Sequence, residues 1–145
     1  MRTREVLVVD DNPADIDLTQ DALLRCHIPL HIHSVPDGVE ALALLQRTGK
    51  YSGVAAPDLV ILDLNMPGKD GRAVLSEVKS NPGLRRTPVV IFSTSQASRD
   101  IGRSYELGAN SYVSKPVNLR DYIAAIVSIG NYWLGCAHLP PQEEV

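Results

Sequence analysis

Residues 59–63 read LVILD: four consecutive branched apolar side chains, followed by the carboxylate of Asp63. A strand that is buried on both faces of a parallel sheet reads as a continuous apolar run of this kind. Ligands of such sheets bind in the crevice outside the carboxyl ends of the strands. The stretch therefore predicts a central strand of an α/β sheet, with an acidic side chain at the end where ligands bind.

Three other short runs end on polar groups in the same way. They are VLVV before Asp10 and Asp11, VVIF before Ser93, and SYVS before Lys115 and Pro116. Because the carboxyl ends of parallel strands open onto one crevice, we expect these groups and Asp63 to lie close together. Three carboxylates, a hydroxyl and an ammonium in one crevice can hold a divalent cation together with a phosphoryl group.

Segments in which apolar residues recur with a helical period lie between the runs. Residues 30–35 alternate between apolar and polar side chains, as in an outer strand with one face more exposed to solvent. We expect helices over about 13–25, 38–49, 72–80 and 98–107, and a last helix from about 119 onward. Parallel strands joined by helices need right-handed crossovers, which cover both faces of the sheet. The pattern predicts an α/β fold of the doubly wound (βα)5 type, a three-layer sandwich around a parallel sheet.

Polar residues mark where these helices are expected to begin. The Asp11-Asn12-Pro13 stretch offers a cap and an early proline for the first helix, and Asp37 offers a cap for the second. Asn118 or a neighbour is placed to cap the last helix, in which Leu119 stands at core spacing.

Length and composition restrict the class of protein. With 145 residues, 44% of them hydrophobic, the chain can form one well-cored domain; we expect its core at about 4–128 and a C-terminal helix extension and tail at about 129–145. A net charge of −3 argues against direct nucleic-acid binding, which needs clustered Lys and Arg. No apolar stretch approaches ~20 residues and no signal peptide is visible, so we expect no membrane contact and a cytoplasmic location.

Taken together, the polar groups at the strand ends resemble the signature of receiver domains in bacterial two-component response regulators. The matching pieces are Asp10-Asp11, the segment DLNMPGKDG at residues 63–71, Ser93 and Lys115-Pro116. Each piece alone is common, but their order, spacing and position at strand ends are specific. The resemblance covers about residues 4–128 and implies a flavodoxin-like fold with the sheet order 2-1-3-4-5.

The resemblance implies a metal-dependent phosphoryl acceptor. Asp63 would be the phosphoacceptor. A Mg²⁺ or Mn²⁺ ion would be bound by Asp11, Asp63 and the backbone carbonyl of Asn65, with Asp10 acting through water. Oxygen-only ligands suit Mg²⁺, and a cation would relieve the repulsion among the carboxylates. We therefore expect a signalling protein rather than an enzyme, capable at most of self-phosphorylation from small donors and of autodephosphorylation.

Other residues of the family pattern would support phosphoryl transfer and the response to it. Lys115 would donate to a phosphoryl oxygen and would be turned inward by a cis peptide bond to Pro116. Ser93 stands where the family most often has threonine, and its hydroxyl would bind the phosphoryl group after transfer. Tyr112 would swing inward as this hydroxyl moves; a half-exposed strand tyrosine without that role is the alternative interpretation.

Two alternatives are built on similar folds. A haloacid-dehalogenase-like phosphatase also uses a strand-end aspartate, Mg²⁺ and a lysine, but it needs a second aspartate two residues after the first, where this chain has Asn65. In a receiver domain, Asn65 and Ser95 would instead flank the path of the water that hydrolyses the acyl phosphate. A phosphorylation-independent, receiver-like binding module would be expected to lack Asp63, Lys115 or the acidic pair, and all of these are present.

The C-terminal stretch contains the only tryptophan of the chain, in the run Tyr132-Trp133-Leu134. With its aromatic-Trp-Leu and Leu-Pro pattern, this ending resembles that of stand-alone response regulators associated with phytochrome histidine kinases. The resemblance implies a bacteriophytochrome-type sensor histidine kinase as partner and a homodimer interface at Tyr132, Trp133 and Leu134. Packing of these residues on their own domain is the alternative. Only a short tail follows Ser128, so we expect output through dimerisation, protein binding or a phosphorelay.

Overall fold

The structure is a computed structural model that describes residues 2–141. A five-stranded parallel sheet in the order β2-β1-β3-β4-β5 forms its centre, which confirms the predicted fold class and strand order. The strands are β1 (Arg4–Val9), β2 (Leu30–Val35), β3 (Leu59–Leu62), β4 (Val89–Ser93) and β5 (Ser111–Ser114). None of the helices in the described part of the chain has the length and apolar character needed to cross a bilayer.

Five α-helices follow the five strands. They are α1 (Pro13–Leu24), α2 (Gly38–Gln46), α3 (Gly71–Ser80), α4 (Ser98–Glu106) and α5 (Leu119–Gly130), with a 3₁₀ turn at Gly49–Tyr51 and a π-helix at Asn131–Cys136. Asp37 accepts a hydrogen bond from the backbone N–H of Glu40 at 2.8 Å, and Asn118 accepts one from Asp121 at 2.8 Å. Both expected caps are therefore present.

Side chains alternate between the two faces of the sheet and build a core layer on each. On one face, Leu7 of β1 lies in a buried cluster with residues of α2 and α3, including Leu75. On the other face, Val8 lies in a second cluster with Leu23 of α1 and Ile126 of α5. The sheet is thus sandwiched between helices, and the carboxyl ends of its strands meet along one edge.

Two expectations about individual helices are wrong. The second helix ends at Gln46 rather than near Gly49, because Arg47 adopts a left-handed backbone (φ 55°) that closes it earlier. Leu119 is 60% exposed rather than in the core, because the first turn of α5 lies at the carboxyl edge of the sheet. Contact of α5 with the core begins at Tyr122, which is 5% exposed.

The π-helix continues α5 without a break and packs back on the same domain. At the junction, a Cβ added to Gly130 would lie 2.6 Å from Sγ of Cys26 on the α1 side, so glycine permits this close approach. Leu134 is buried in the cluster between the sheet, α1 and α5, and Trp133 and Leu139 pack against that cluster. The extension therefore contributes to the domain core as well as to its surface.

Candidate functional site

Three carboxylates lie together at the carboxyl edge of the sheet. Asp10 follows β1 and Asp63 follows β3, and both side chains are buried, whereas Asp11 is exposed. Each of the three can offer an oxygen within 4.8 Å of the other two, and among residues 2–141 no other trio of His, Cys, Asp or Glu side chains does so. The structure thus brings together the three acidic side chains predicted from the strand ends.

Backbone groups hold the two buried carboxylates in place. The N–H of Asn12 donates to Oδ1 of Asp10 at 3.0 Å, and the N–H of Asn65 donates to Oδ1 of Asp63 at 3.4 Å. Burial raises the pKa of Asp10, although hydrogen bonds from Lys115 and Asn12 act in the opposite direction. An all-oxygen, partly desolvated set of carboxylates with residual repulsion fits a hard divalent cation such as Mg²⁺ or Mn²⁺.

Lys115 lies among the carboxylates with its side chain only 5% exposed. Its Nζ is 2.7 Å from Oδ2 of Asp10, 2.9 Å from Oδ2 of Asp15 and 3.4 Å from Oδ2 of Asp63. Burial alone would lower the pKa of Lys115, but the hydrogen bonds to Asp10 and Asp15 and the nearby negative charges outweigh it, and the pKa is raised. The side chain is therefore a fixed ammonium next to Asp63.

The expected cis bond between Lys115 and Pro116 is absent, since no cis peptide occurs among residues 2–141. The lysine nevertheless points inward. The backbone N–H of Lys115 donates to the carbonyl of Ser93 at 2.7 Å, directly after the pairing of Ser93 with Ser114. This extension of the β4–β5 ladder places Lys115 at the edge of the crevice.

Ser93 ends β4 and is fully buried. Its hydroxyl has no hydrogen-bond partner among the described residues. Because most buried polar side-chain atoms in proteins have a partner, an unpartnered hydroxyl at a strand end needs an explanation. A phosphoryl oxygen arriving next to Lys115 would supply the missing acceptor, so the residue fits the role expected for it.

Tyr112 lies on β5, partly buried, and its hydroxyl donates to the carbonyl of Ser95 at 2.8 Å. Ser95 in turn donates through Oγ to Asp100 at 2.6 Å, and Asp100 accepts a hydrogen bond from Arg72 at 2.8 Å. The bonds from Ser95 and Arg72 lower the pKa of Asp100. Tyr112 is thus linked to the loop that follows Ser93, which is the segment a switch would move.

Asp15, Arg72 and Asp100 are site residues that the sequence analysis missed. Asp15 falls in the first turn of α1, where an acidic side chain is expected simply because it complements the helix dipole. Arg72 and Asp100 read as ordinary charged residues near the starts of α3 and α4. No local pattern distinguishes any of them, so their contacts with the site follow from the packing of elements.

The residues predicted to form an interface differ in exposure. Tyr132 is 55% exposed and meets Trp133 edge to face, with 5.2 Å between ring centroids. Trp133 is partly buried against its own domain, whereas Leu134 is only 3% exposed. In this chain Leu134 is a core residue, and Tyr132 presents the larger free surface.

A cleft of about 480 Å³ opens beside Lys115 on the side of α1 and α5. Asp15 and Tyr122 line it, together with the exposed apolar side chains of Val117 and Leu119. Lys115 lines this cleft as well as lying among the carboxylates.

Comparison with known proteins agrees with this geometry. The family model for the response regulator receiver domain matches residues 6–127. The response regulator Rcp1 of Synechocystis sp. is 42% identical over 135 residues, which cover 93% of this chain and 92% of Rcp1.

Two crystal structures are similar over nearly the whole chain. That of the phosphorylated cyanobacterial phytochrome response regulator RcpA has a TM-score of 0.93 and 44% identity, covering 97% of this chain and 100% of RcpA. That of the Mn²⁺-bound form of Rcp1 has a TM-score of 0.91 and 41% identity, covering 95% of this chain and 99% of Rcp1. The present chain therefore belongs to the response regulator receiver domain family, and within it is similar to the phytochrome-associated response regulators.

Proposed function

We propose that this protein is a phosphoryl-accepting response regulator and that Asp63 takes the phosphoryl group from a sensor histidine kinase. The observation that carries the proposal is the surroundings of Asp63 at the end of β3. Its Oδ2 lies 3.4 Å from Nζ of Lys115, and it shares with Asp10 and Asp11 a cluster of oxygens suited to a cation. The unpartnered hydroxyl of Ser93 supports the same function.

In the proposed reaction, a carboxylate oxygen of Asp63 attacks the phosphorus of a phosphohistidine. The new O–P bond forms as the P–N bond breaks, and the imidazole leaves with the bonding electron pair. The product is an acyl phosphate on Asp63. Asp11, Asp63 and the carbonyl of Asn65, with Asp10 through water, would hold a Mg²⁺ ion, which reduces the repulsion between the two anions.

The chain's own cation and hydroxyl would act on the transferred group. Lys115 would donate a hydrogen bond to one phosphoryl oxygen, which explains why an ammonium is kept buried here. Ser93 would donate to another oxygen and draw the loop containing Ser95 toward the site. Because Tyr112 is bonded to the carbonyl of Ser95, movement of that loop would release the tyrosine.

The proposed partner is a sensor histidine kinase of the bacteriophytochrome type. The similarity to RcpA and Rcp1, over almost the full length of each, supports this. We further propose a single receiver domain over residues 1–145 that acts in the cytoplasm as a homodimer, with Tyr132 and Trp133 at the interface. Output would be through that dimer, through another protein or through a phosphorelay.

The test is uptake of a phosphoryl group from acetyl phosphate, followed by intact mass with and without Mg²⁺. The wild-type protein should gain one phosphoryl group only when Mg²⁺ is present, and Asp63→Asn should gain none. Asp17→Asn is the matched control, because it removes one carboxylate from the exposed surface of α1; it should be labelled like the wild type.

Other outcomes would contradict the proposal. Stoichiometric labelling of Asp63→Asn would place the acceptor elsewhere. Steady release of many phosphates per protein from a small phosphoester would favour a haloacid-dehalogenase-like phosphatase. No uptake from acetyl phosphate or from a phosphorylated histidine kinase would favour a phosphorylation-independent binding module.

A further inference from the structure

Asp15 is a fourth carboxylate at the site, outside the trio that can hold a metal. It lies in the first turn of α1, and its Oδ2 is 2.9 Å from Nζ of Lys115. Its side chain is 27% exposed and lines the cleft beside the lysine. Nothing in the phosphoryl transfer proposed above uses this residue.

The contact occupies one of the three donors of the lysine. An ammonium has three N–H groups, and in this structure they point to Asp10, Asp15 and Asp63. The contacts with Asp10 and Asp15 are shorter than the contact with Asp63. To donate to a phosphoryl oxygen on Asp63, Lys115 therefore has to weaken at least one carboxylate contact.

The three carboxylates are not equivalent in this respect. Asp10 and Asp63 belong to the cluster that can bind a cation, so a cation and the lysine would compete for their oxygens. Asp15 is outside that cluster, so a bound cation would not compete for its oxygens. It is thus the carboxylate left to hold the ammonium if a cation occupies the cluster.

An acidic side chain at Asp15 complements the dipole of α1, but the capping of this helix does not require it. The free N–H groups at the start of this helix are already capped by Asn12, which accepts from Ala14 and from Asp15 itself. The backbone carbonyl of Asp15 is near Tyr122, whose hydroxyl lies at 3.4 Å. The carboxylate is left to interact with Lys115.

We propose that Asp15 is a positioning residue: it holds the Lys115 ammonium beside Asp63, and its negative charge opposes the docking of anionic phosphoryl donors. This inference rests on the proposed function and names a residue that regulates it. Its charge is one of four negative charges at a site that contains one lysine, so removing it makes the site less repulsive to a phosphorylated donor. Replacement by asparagine keeps an oxygen acceptor for the lysine while removing the charge.

The first measurement is the dependence of the labelling rate on acetyl phosphate concentration at saturating Mg²⁺. Asp15→Asn should lower the KM for acetyl phosphate by about threefold to tenfold, as expected for loss of one nearby, partly solvated charge. The maximal rate should change by less than about twofold, because asparagine still orients the lysine. Asp17→Asn changes the net charge equally on the same helix, and it should leave both constants unchanged.

The second measurement uses metal-free protein and needs no phosphorylation. A double-mutant cycle compares the thermal unfolding of four proteins: the wild type, Asp15→Asn, Lys115→Met and the double variant. Lys115→Met should destabilise the wild type more than it destabilises the Asp15→Asn background. In the cycle with Asp17→Asn the two effects should add.

The outcomes separate this inference from the proposed function. Wild-type protein that takes up no phosphoryl group overturns both. Wild-type protein that is labelled normally, with Asp15→Asn showing an unchanged or higher KM, overturns the role of Asp15 alone. Additive unfolding effects of Asp15→Asn and Lys115→Met also overturn it.

Discussion

The hydroxyl of Ser93 is buried and has no hydrogen-bond partner among the described residues, so this single side chain should lower the free energy of unfolding. An unsatisfied buried polar group costs about 1–3 kcal/mol. Ser93→Ala should therefore leave the free energy of unfolding of the unphosphorylated protein unchanged or raise it by about 1 kcal/mol, as measured by urea titration. That result would support the proposed role of the hydroxyl in the phosphorylated state, because it would show that the hydroxyl does not stabilise the unphosphorylated fold.

Thr19→Val is the control for Ser93→Ala. Thr19 is also buried, but its Oγ1 lies 3.0 Å from the hydroxyl of Tyr122 and shares a hydrogen bond with it. Its loss should lower the free energy of unfolding by about 1–2 kcal/mol. A loss of about 1–2 kcal/mol or more in Ser93→Ala, like that expected for Thr19→Val, would mean that the Ser93 hydroxyl does have a partner in solution.

Tyr122 gives the protein a dependence on alkaline pH. Burial raises its pKa from 10.0 to about 12. The unfolded state therefore loses this proton first as the pH rises. As a result, the free energy of unfolding keeps its full value below about pH 10 and falls by about 2 kcal/mol toward pH 12. Urea titrations between pH 8 and 12 should show a shallower decline for Tyr122→Phe than for the wild type. Parallel curves for the two proteins would contradict the assignment.

At the scale of elements, α4 differs from the other four helices. Ser104 is its only buried residue, and its N-cap, Ala97, offers no side-chain hydrogen bond. Polar contacts attach its first turn, chiefly those of Asp100 with Ser95 and Arg72. An element with little buried apolar surface is more easily displaced than one anchored in the core. This makes α4 the helix best suited to respond to movement of the loop after Ser93.

The start of α3 is tied to the loop that presents the phosphoacceptor. A Cβ added to Gly71 would lie 2.1 Å from the backbone carbonyl oxygen of Asp63, and rigid backbone leaves no room for it. Gly71→Ala should lower the free energy of unfolding by about 2 kcal/mol or more and reduce labelling of Asp63. Denaturant unfolding and intact mass measure the two effects.

Gly102→Ala is the matched control within α4. No heavy atom lies within 4 Å of the Cβ that this substitution would add. Since alanine favours the interior of a helix over glycine, the variant should be more stable by about 0.5–1 kcal/mol. Equal stabilities of Gly71→Ala and the wild type would show that the loop after Asp63 can move freely away from α3.

At the scale of the whole molecule, the C-terminal extension both completes the core and leaves an aromatic side chain exposed. If the proposed homodimer uses this surface, Tyr132→Ala should weaken self-association while preserving the fold, because Tyr132 is 55% exposed. Sedimentation velocity over a range of concentrations measures the effect. Leu134→Ala should instead lower thermal stability, since Leu134 is 3% exposed within the chain. An unchanged sedimentation profile for Tyr132→Ala would remove this surface from the interface.

The sequence alone determined the sheet, the order of elements along the chain, and the cluster of Asp10, Asp11, Asp63 and Lys115. These features follow from local patterns: an apolar run predicts a buried strand, and the residue after it lies at the carboxyl edge. The caps Asp37 and Asn118 could be predicted for the same reason, because a cap bonds to backbone only three residues away.

Only the tertiary structure decided which distant charges complete the site. Asp15 and Lys115 are separated by 100 positions, and Arg72 and Asp100 by 28. Contacts between residues so far apart produce no periodic pattern in the sequence, because they depend on how α1 packs beside α5 and how α3 approaches α4. The exposure of Leu119 has the same origin: its spacing fits a core position, but the start of α5 extends beyond the sheet it would have to cover.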